Sequence, residues 1–276
     1  MLRTTTHGPI TRIHLTRTIL GRPIYSVSAY LIDGLLIDCG PPRVAPELIA
    51  WCRQHRIQQV VTTHHHEDHS GGAGPLRRAL GLPVLAPAAA VQVLASFPRL
   101  EPYRWIVWGQ PQAVLAQPLA ETVETAHHRF RVIPTPGHCP DHICLYEPQQ
   151  GWLFAGDLFI HEQARYMRAD EDLATLVRSL RQVLALGPDL LICSHAGLID
   201  DACGAIERKI IYWETRGVQA RILQRSGLSV RAITKRLLGD EGFLTLFSAG
   251  HISKINLIRS LLSHPSPQQG KDPGDR

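Results

Sequence analysis

A chain of 276 residues, 44% of them hydrophobic and 20 of them proline, has the composition of a globular protein with many loops and a sizeable core. Its 29 Lys and Arg against 24 Asp and Glu leave a net charge of +5, mildly basic and without a basic run that would announce nucleic acid. The apolar stretches are strand-sized, short of the ~20 residues that a membrane helix needs. Met1 to Arg12 shows no signal-peptide pattern, and the six cysteines (Cys39, Cys52, Cys139, Cys144, Cys193, Cys203) lack C-x-x-C spacing. A cytoplasmic protein with reduced thiols and no membrane association is expected.

In chain order, Thr11–Leu15 and Ile24–Ile32 read as strands, and Leu35–Asp38 closes a hairpin through Asp33-Gly34. Ala45–His55 has helical periodicity, and Gln59–Thr62 is a short buried strand. It delivers Thr63-His64-His65-His66-Glu67-Asp68-His69-Ser70-Gly71-Gly72, followed by a helix to Leu80. Pro87–Phe97 reads as a helix, Arg99–Glu124 as turns and edge strands, and Phe130–Ile133, Ile143–Tyr146 and Trp152–Ala155 as strands. Asp172–Leu186 is an amphipathic helix, and Leu190–Cys193 a last buried strand. Strands, helix, strands, helix argue for a layered α/β sandwich. After Asp200 three helices without strand signals are expected: Ala202–Ser226, Ser229–Leu238 and Ser248–Ser263, with Ser229 and Ser248 as N-caps. The division is thus a catalytic domain over 1–200, a helical extension over 201–263, winged-helix-like or a lid, and a disordered tail over 264–276.

The chemistry gathers in the pattern H-x-H-x-D-H, made by His64, His66, Asp68 and His69. Imidazole nitrogens and a carboxylate suit zinc, and iron or manganese as well. Neighbouring side chains leave the backbone in different directions, so the economical arrangement uses two metals, His64 and His66 on one, Asp68 and His69 on the other. Each ion then needs more ligands, and His138, Asp157 and His195 stand where later strands end.

The ordered set H-x-H-x-D-H, T-P-G-H, G-D and S-H-x-G resembles the metallo-β-lactamase superfamily over about Ile24 to Gly197. The resemblance implies a four-layer αββα sandwich carrying a small helical C-terminal extension. It implies that His64, His66 and His138 hold the first metal, that Asp68, His69 and His195 hold the second, and that Asp157 bridges them. Two Zn²⁺ sharing a hydroxide would then attack a carbonyl or phosphoryl group, and Asp68 would accept and return the proton. Thr135–Ile143 looks like the beta-lactamase-like 2 endoribonuclease group, whereas Gly156-Asp157-Leu158-Phe159 resembles the glyoxalase II thioesterases. Ile160 stands where the acyl-homoserine-lactone lactonases place a Tyr, and His195-Ala196-Gly197 replaces an H-G-P.

These readings favour a hydrolase of a thioester or ester of a small acidic substrate. The alternatives are an endoribonuclease binding single-stranded RNA through the basic C-terminal helices, and a mononuclear iron persulfide dioxygenase. Arg165, Tyr166 and Arg168 are candidate contacts for an anionic substrate, and His142 for a substrate or a ligand. His65 and Glu67 are expected to point away, and His127, His128 and His161 to lie in solvated loops. The C-terminal helices are also candidates for a homodimer contact.

Overall fold

Turn chemistry starts the first sheet: Asp33 and Gly34 take φ of 46° and 81°, the left-handed geometry a two-residue hairpin needs. β1 (Leu2–His7), β2 (Ile10–Ile19), β3 (Arg22–Ile32) and β4 (Leu35–Ile37) form an antiparallel meander. β5 (Gln59–Val61), β6 (Val84–Ala86) and β7 (Gln117–Pro118) extend it in parallel. The computed structural model describes residues 1–263, so the tail expected to be disordered lies outside the described residues. Between these strands run α1 (Ala45–Cys52), α2 (Glu67–Ser70), α3 (Ala73–Leu80), α4 (Ala88–Ala95) and α5 (Pro102–Val107). β1 and α5 went unanticipated. The polar β1 has no buried stripe to betray it and exists by pairing with β2.

The second half supplies β8 (Thr122–Glu124), β9 (Arg129–Pro134), β10 (Ile143–Glu147), β11 (Trp152–Gly156), β12 (Met167–Arg168), β13 (Leu190–Cys193), β14 (Gly197–Ile199) and β15 (Ile252–Ser253). Its sheet runs β14-β13-β11-β10-β9-β8, and β12 pairs separately with β15. The helices are α6 (Leu173–Leu184), α7 (Ala202–Arg225), α8 (Val230–Leu238), α9 (Phe243–Phe247) and α10 (Lys254–Ser263). Asp172, Asp201 and Ser229 cap α6, α7 and α8 by accepting backbone N–H groups of Thr175, Gly204 and Ala232. Ser248 caps nothing of the kind. Ala249 and Gly250 turn left-handed (φ 49° and 84°), so the helix expected from Ser248 starts only at Lys254, after β15, with Ser253 accepting the Asn256 N–H; the short α9 before it was not expected. The strand β15 therefore corrects the expectation of helices alone after Asp200.

Three buried clusters match the three interfaces of a four-layer sandwich. Tyr30, Ile32 and Val61 of the first sheet meet Phe130, Leu145 and Phe154 of the second between the sheets. Leu48, Leu76 and Leu94, from α1, α3 and α4, cover the first sheet's outer face. Leu176, Leu180, Ile206, Ile233 and Leu257, from α6, α7, α8 and α10, cover the second. Each such aliphatic or aromatic side chain stabilises the fold by about 1.5–3 kcal/mol. The fold is the αββα sandwich, with the C-terminal helices built into its outer layer. Among the described residues no helix is long and apolar enough to cross a membrane.

One charge lies inside that layer. Lys209 of α7 is 2% exposed, donates to the His161 carbonyl at 2.9 Å and stands 4.2 Å from the centre of the Trp213 ring. Burial pushes its ammonium down to about 8. Between pH 8 and lysine's ordinary range the unfolded chain holds a proton that the folded chain has lost, so stability rises with pH there. Denaturant unfolding should show the natural protein gaining about 2 kcal/mol on Lys209→Met between pH 7.5 and 10. Parallel pH dependences of the two proteins would contradict a lysine buried in this way.

Candidate metal centre

Four strand ends converge on one edge of the sandwich. β5 leads to Thr63–His69, β9 to His138, β11 to Asp157 and β13 to His195. Asp68 and His69 sit within α2, not on a plain loop. Gly156 is needed where it is: its φ is +48°, and a Cβ would come within 2.7 Å of His142 Nε2 and 3.0 Å of Thr63 Oγ1.

All seven expected ligands meet. His64 Nε2 lies 3.0 Å from His66 Nδ1, which lies 2.9 Å from His138 Nε2. Asp157 turns Oδ2 toward His138 Nε2 at 3.4 Å, and Oδ1 toward His69 Nε2 at 3.2 Å and His195 Nε2 at 3.4 Å. Asp68 Oδ2 is 3.6 Å from His69 Nε2. Two sets of converging ligand atoms result, His64, His138 and Asp157 in one, Asp68, His69, Asp157 and His195 in the other. Cys139 also converges with His64 and His66, and burial, then Asp141, pushes its thiol well up.

The opposite ring nitrogens explain the aim. His69 Nδ1 donates to Asp38 at 2.8 Å, His138 Nδ1 to Glu171 at 2.6 Å, and His195 Nδ1 to the Ser26 carbonyl at 3.2 Å. His64 Nδ1 lies 3.0 Å from the Thr63 hydroxyl, which donates to Asp38. With Nδ1 so occupied, these four imidazoles turn Nε2 inward. Burial first, then neighbouring imidazoles, holds His64 well below the usual histidine range; burial and the Arg168 guanidinium do so for His66. Burial opposes charge on His69 too, but Asp157, Asp68 and Asp38 outweigh it and raise its pKa well above that range. His69 Nε2 and Asp157 Oδ1 are buried without a hydrogen-bond partner. Imidazole nitrogens converging with two carboxylates, orphaned buried atoms among them, fit divalent cations, which would supply the positive charge that Asp157 and Asp68 otherwise draw onto His69.

Several partners were invisible beforehand. Asp38, at φ 60°, lies at the end of β4, and only its place after a strand hinted at function. Glu171 had no signal at all. Tyr25 of β3 donates its hydroxyl to Asp68 Oδ2 and stands 3.2 Å from His195 Nε2. His65 is tied to Asp141, its Nδ1–H donating at 2.6 Å. Glu67 is 2% exposed and grips Arg104 of α5 through both oxygens, so it points away from the histidine cluster into a buried ion pair.

The expected substrate contacts divide. Arg165, Tyr166 and Arg168 line a cavity of about 350 Å³ that also touches Tyr25, Asp68, Asp157 and His195. Arg168 already donates twice to Asp170 at 2.9 Å, and Arg165 donates to the Leu238 carbonyl. His142 does not line this cavity, which corrects its reading as a substrate contact. It is 1% exposed, its Nε2 accepts the Asp157 N–H at 3.1 Å, and its Nδ1 donates to Thr135 at 2.8 Å. Burial pushes it down to about 3, so it is a neutral prop beneath Asp157. His161 reaches the cavity, whereas His127 and His128 lie beside Asp33 and Glu147.

A family model of the Metallo-beta-lactamase superfamily matches residues 22–195. The chain belongs to this superfamily. A hydroxyacylglutathione hydrolase from Cereibacter sphaeroides is 30% identical over 158 residues, 57% of this chain and 53% of that protein. The Beta-lactamase-like protein 2 homolog of Drosophila melanogaster is 29% identical over 198 residues, 69% of this chain and 63% of its own. The chain thus spans about half the length of the first curated relatives it matches. Among solved structures, TTHA1623 in a di-iron-bound form shares 26% identity and superposes with a TM-score of 0.56, covering 70% of this chain and 96% of its own.

The superfamily's metal-binding cluster is held here by partners outside the ligand set. Asp38→Ala and Glu171→Ala should each weaken divalent-metal binding by about 10–100-fold in chelator competition while leaving the far-ultraviolet dichroism unchanged. Metal affinity equal to the natural protein's in both variants would refute their role in aiming His69 and His138.

Proposed function

We propose that the protein is a binuclear metal-dependent hydrolase of a thioester or ester. The observation that carries this reading is Asp157, which offers one oxygen to each of two ligand sets. His64, His66 and His138 would hold one ion, Asp68, His69 and His195 the other, with Asp157 between. The donors suit Zn²⁺, and iron or manganese as well. When bound, such ions supply an acidified water and a polarised scissile carbonyl.

The chain's own residues do the rest. Asp68 stands at the cavity with the Tyr25 hydroxyl on its Oδ2, placed to take a proton from the nucleophile and return it to the leaving group. Trp108 and Ile160 help wall off water on the substrate side. The hydroxyacylglutathione hydrolases among the relatives support a thioester, and the di-iron form of TTHA1623 supports two metals over the mononuclear iron reading. For an acidic substrate, Arg168 is already paired with Asp170, which leaves Arg165, with one hydrogen bond to the Leu238 carbonyl, as the guanidinium at the cavity to meet a carboxylate. In the C-terminal segment Ile233, Leu257 and Ile258 face the core, and Leu244 of α9 and Ile252 of β15 reach the cavity, which favours a wall of the site over an RNA reader.

Metal analysis of purified protein should find close to two ions per chain, and chelation should abolish turnover that zinc or iron restores. His66→Ala and Asp157→Ala should lower the stoichiometry and reduce turnover by at least about 1000-fold; a single iron with intact activity would overturn the binuclear reading.

A further inference from the structure

Aromatic rings lead from the metal cluster to the surface. Tyr25, hydrogen-bonded to Asp68, meets Trp108 edge-to-face at 5.2 Å between centroids. Trp108 meets Tyr103 at 6.1 Å, Tyr103 meets Phe247 at 6.1 Å, and Phe247 stacks on Phe243 at 5.5 Å. The first two rings line the cavity and the last is 76% exposed. Beside it on α9, Leu246 is 81% exposed, and Leu244 is at once 39% exposed and part of the cavity wall. A short helix with no buried residue, carrying four large apolar side chains, costs solubility and contributes nothing to the core. It is continuous with the cavity through Leu244.

The apolar side of the same cavity is formed by Trp108, Ile160, Ala164, Met167, Leu244 and Ile252. At its polar side Arg168 is held in a fork by Asp170, and Arg165 donates one hydrogen bond to the Leu238 carbonyl. We propose that the site takes an ester or thioester bearing an apolar chain, and that this chain lies along the wall from Trp108 past Leu244 to Phe243. The inference rests on the hydrolase reading and names the substrate class for it. The apolar chain could belong to the acyl half or to the alcohol or thiol half, and both present the same methylene surface to the rings.

The metal-loaded protein is assayed on two series: acetyl, butanoyl and octanoyl thioesters of one thiol, and acetate esters of ethanol, butanol and octanol. A fully buried methylene is worth a factor of about four in binding, and this wall is open on one side. In one series kcat/KM should therefore rise at least about tenfold from two to eight carbons, and the rising series identifies the half that carries the chain. Phe243→Ser and Leu246→Ser, both at exposed positions, should flatten that rise, and a succinyl thioester should do no better than the butanoyl one. If short esters are turned over and both series are flat, the apolar wall is wrong while the hydrolase stands. If no ester is turned over, the hydrolase reading fails, and calorimetric titration with octanoate and acetate decides the wall separately. Octanoate binding about tenfold tighter than acetate, lost in Phe243→Ser, supports it; equal binding overturns it. A dimer in sedimentation that Phe243→Ser dissociates would also overturn it, because α9 would then be an interface between two copies.

Discussion

The structure turns on one buried carboxylate. Asp157 is 7% exposed and faces three imidazoles, while its own backbone N–H is spent on His142. Burial opposes its charge, but His69 and His195 outweigh that and hold its pKa well below the usual carboxylate range. A buried ionised carboxylate is costly unless positive charge meets it, and the four strand ends are arranged so that positive charge can. Gly156 lets the backbone approach His142 and Thr63 closely enough to place it. Its two oxygens face different ligand sets, which is what makes the two sets a single site.

Around this centre a second ring of polar groups removes freedom from the first. Asp38 reaches Thr63 through its N–H and hydroxyl and His69 through its ring, and so couples the end of β4 to both halves of the His-rich stretch. Its positive φ stores about 1 kcal/mol or more of backbone strain at a functional position. Glu171 ties His138 to the Arg168 backbone N–H, so the loop that walls the cavity also aims a ligand. Arg104 and Glu67 do the same for α2 from α5. Ligand positions held this way need little reorganisation when charge develops.

The C-terminal helices belong to this arrangement. α7, α8 and α10 bury their apolar faces in the cluster that covers the second sheet, and β15 pairs with β12 beside Arg168. Lys209 and Arg165 pin the loop after Asp157 to α7 and α8 from two sides. The segment that reads as an appendage in one dimension therefore closes one side of the cavity, and it brings an apolar character that the ligand set by itself does not suggest.

Sequence and tertiary structure divide the credit by distance along the chain. The convergence of the candidate ligands was legible because residue type, tight local spacing and placement at strand ends leave few alternatives for imidazole and carboxylate groups. The strands and long helices were legible because burial imposes periods of two and 3.6 on their side chains. Polar β1, five-residue α9 and two-residue β15 carry too little periodicity, and pairing or chain reversal made them. What His-rich spacing could not contain is the choice of partner for each ring. Asp38 meets His69 from 31 residues away and Tyr25 meets His195 from 170; only the fold pairs Arg168 with Asp170 and hangs Arg165 on the Leu238 carbonyl at the cavity. The sequence alone determined which atoms could bind metal. Only the folded chain decided which of those atoms face inward and what lines the cavity beside them, because hydrogen-bond partners and cavity walls are set by packing between segments that local sequence does not connect.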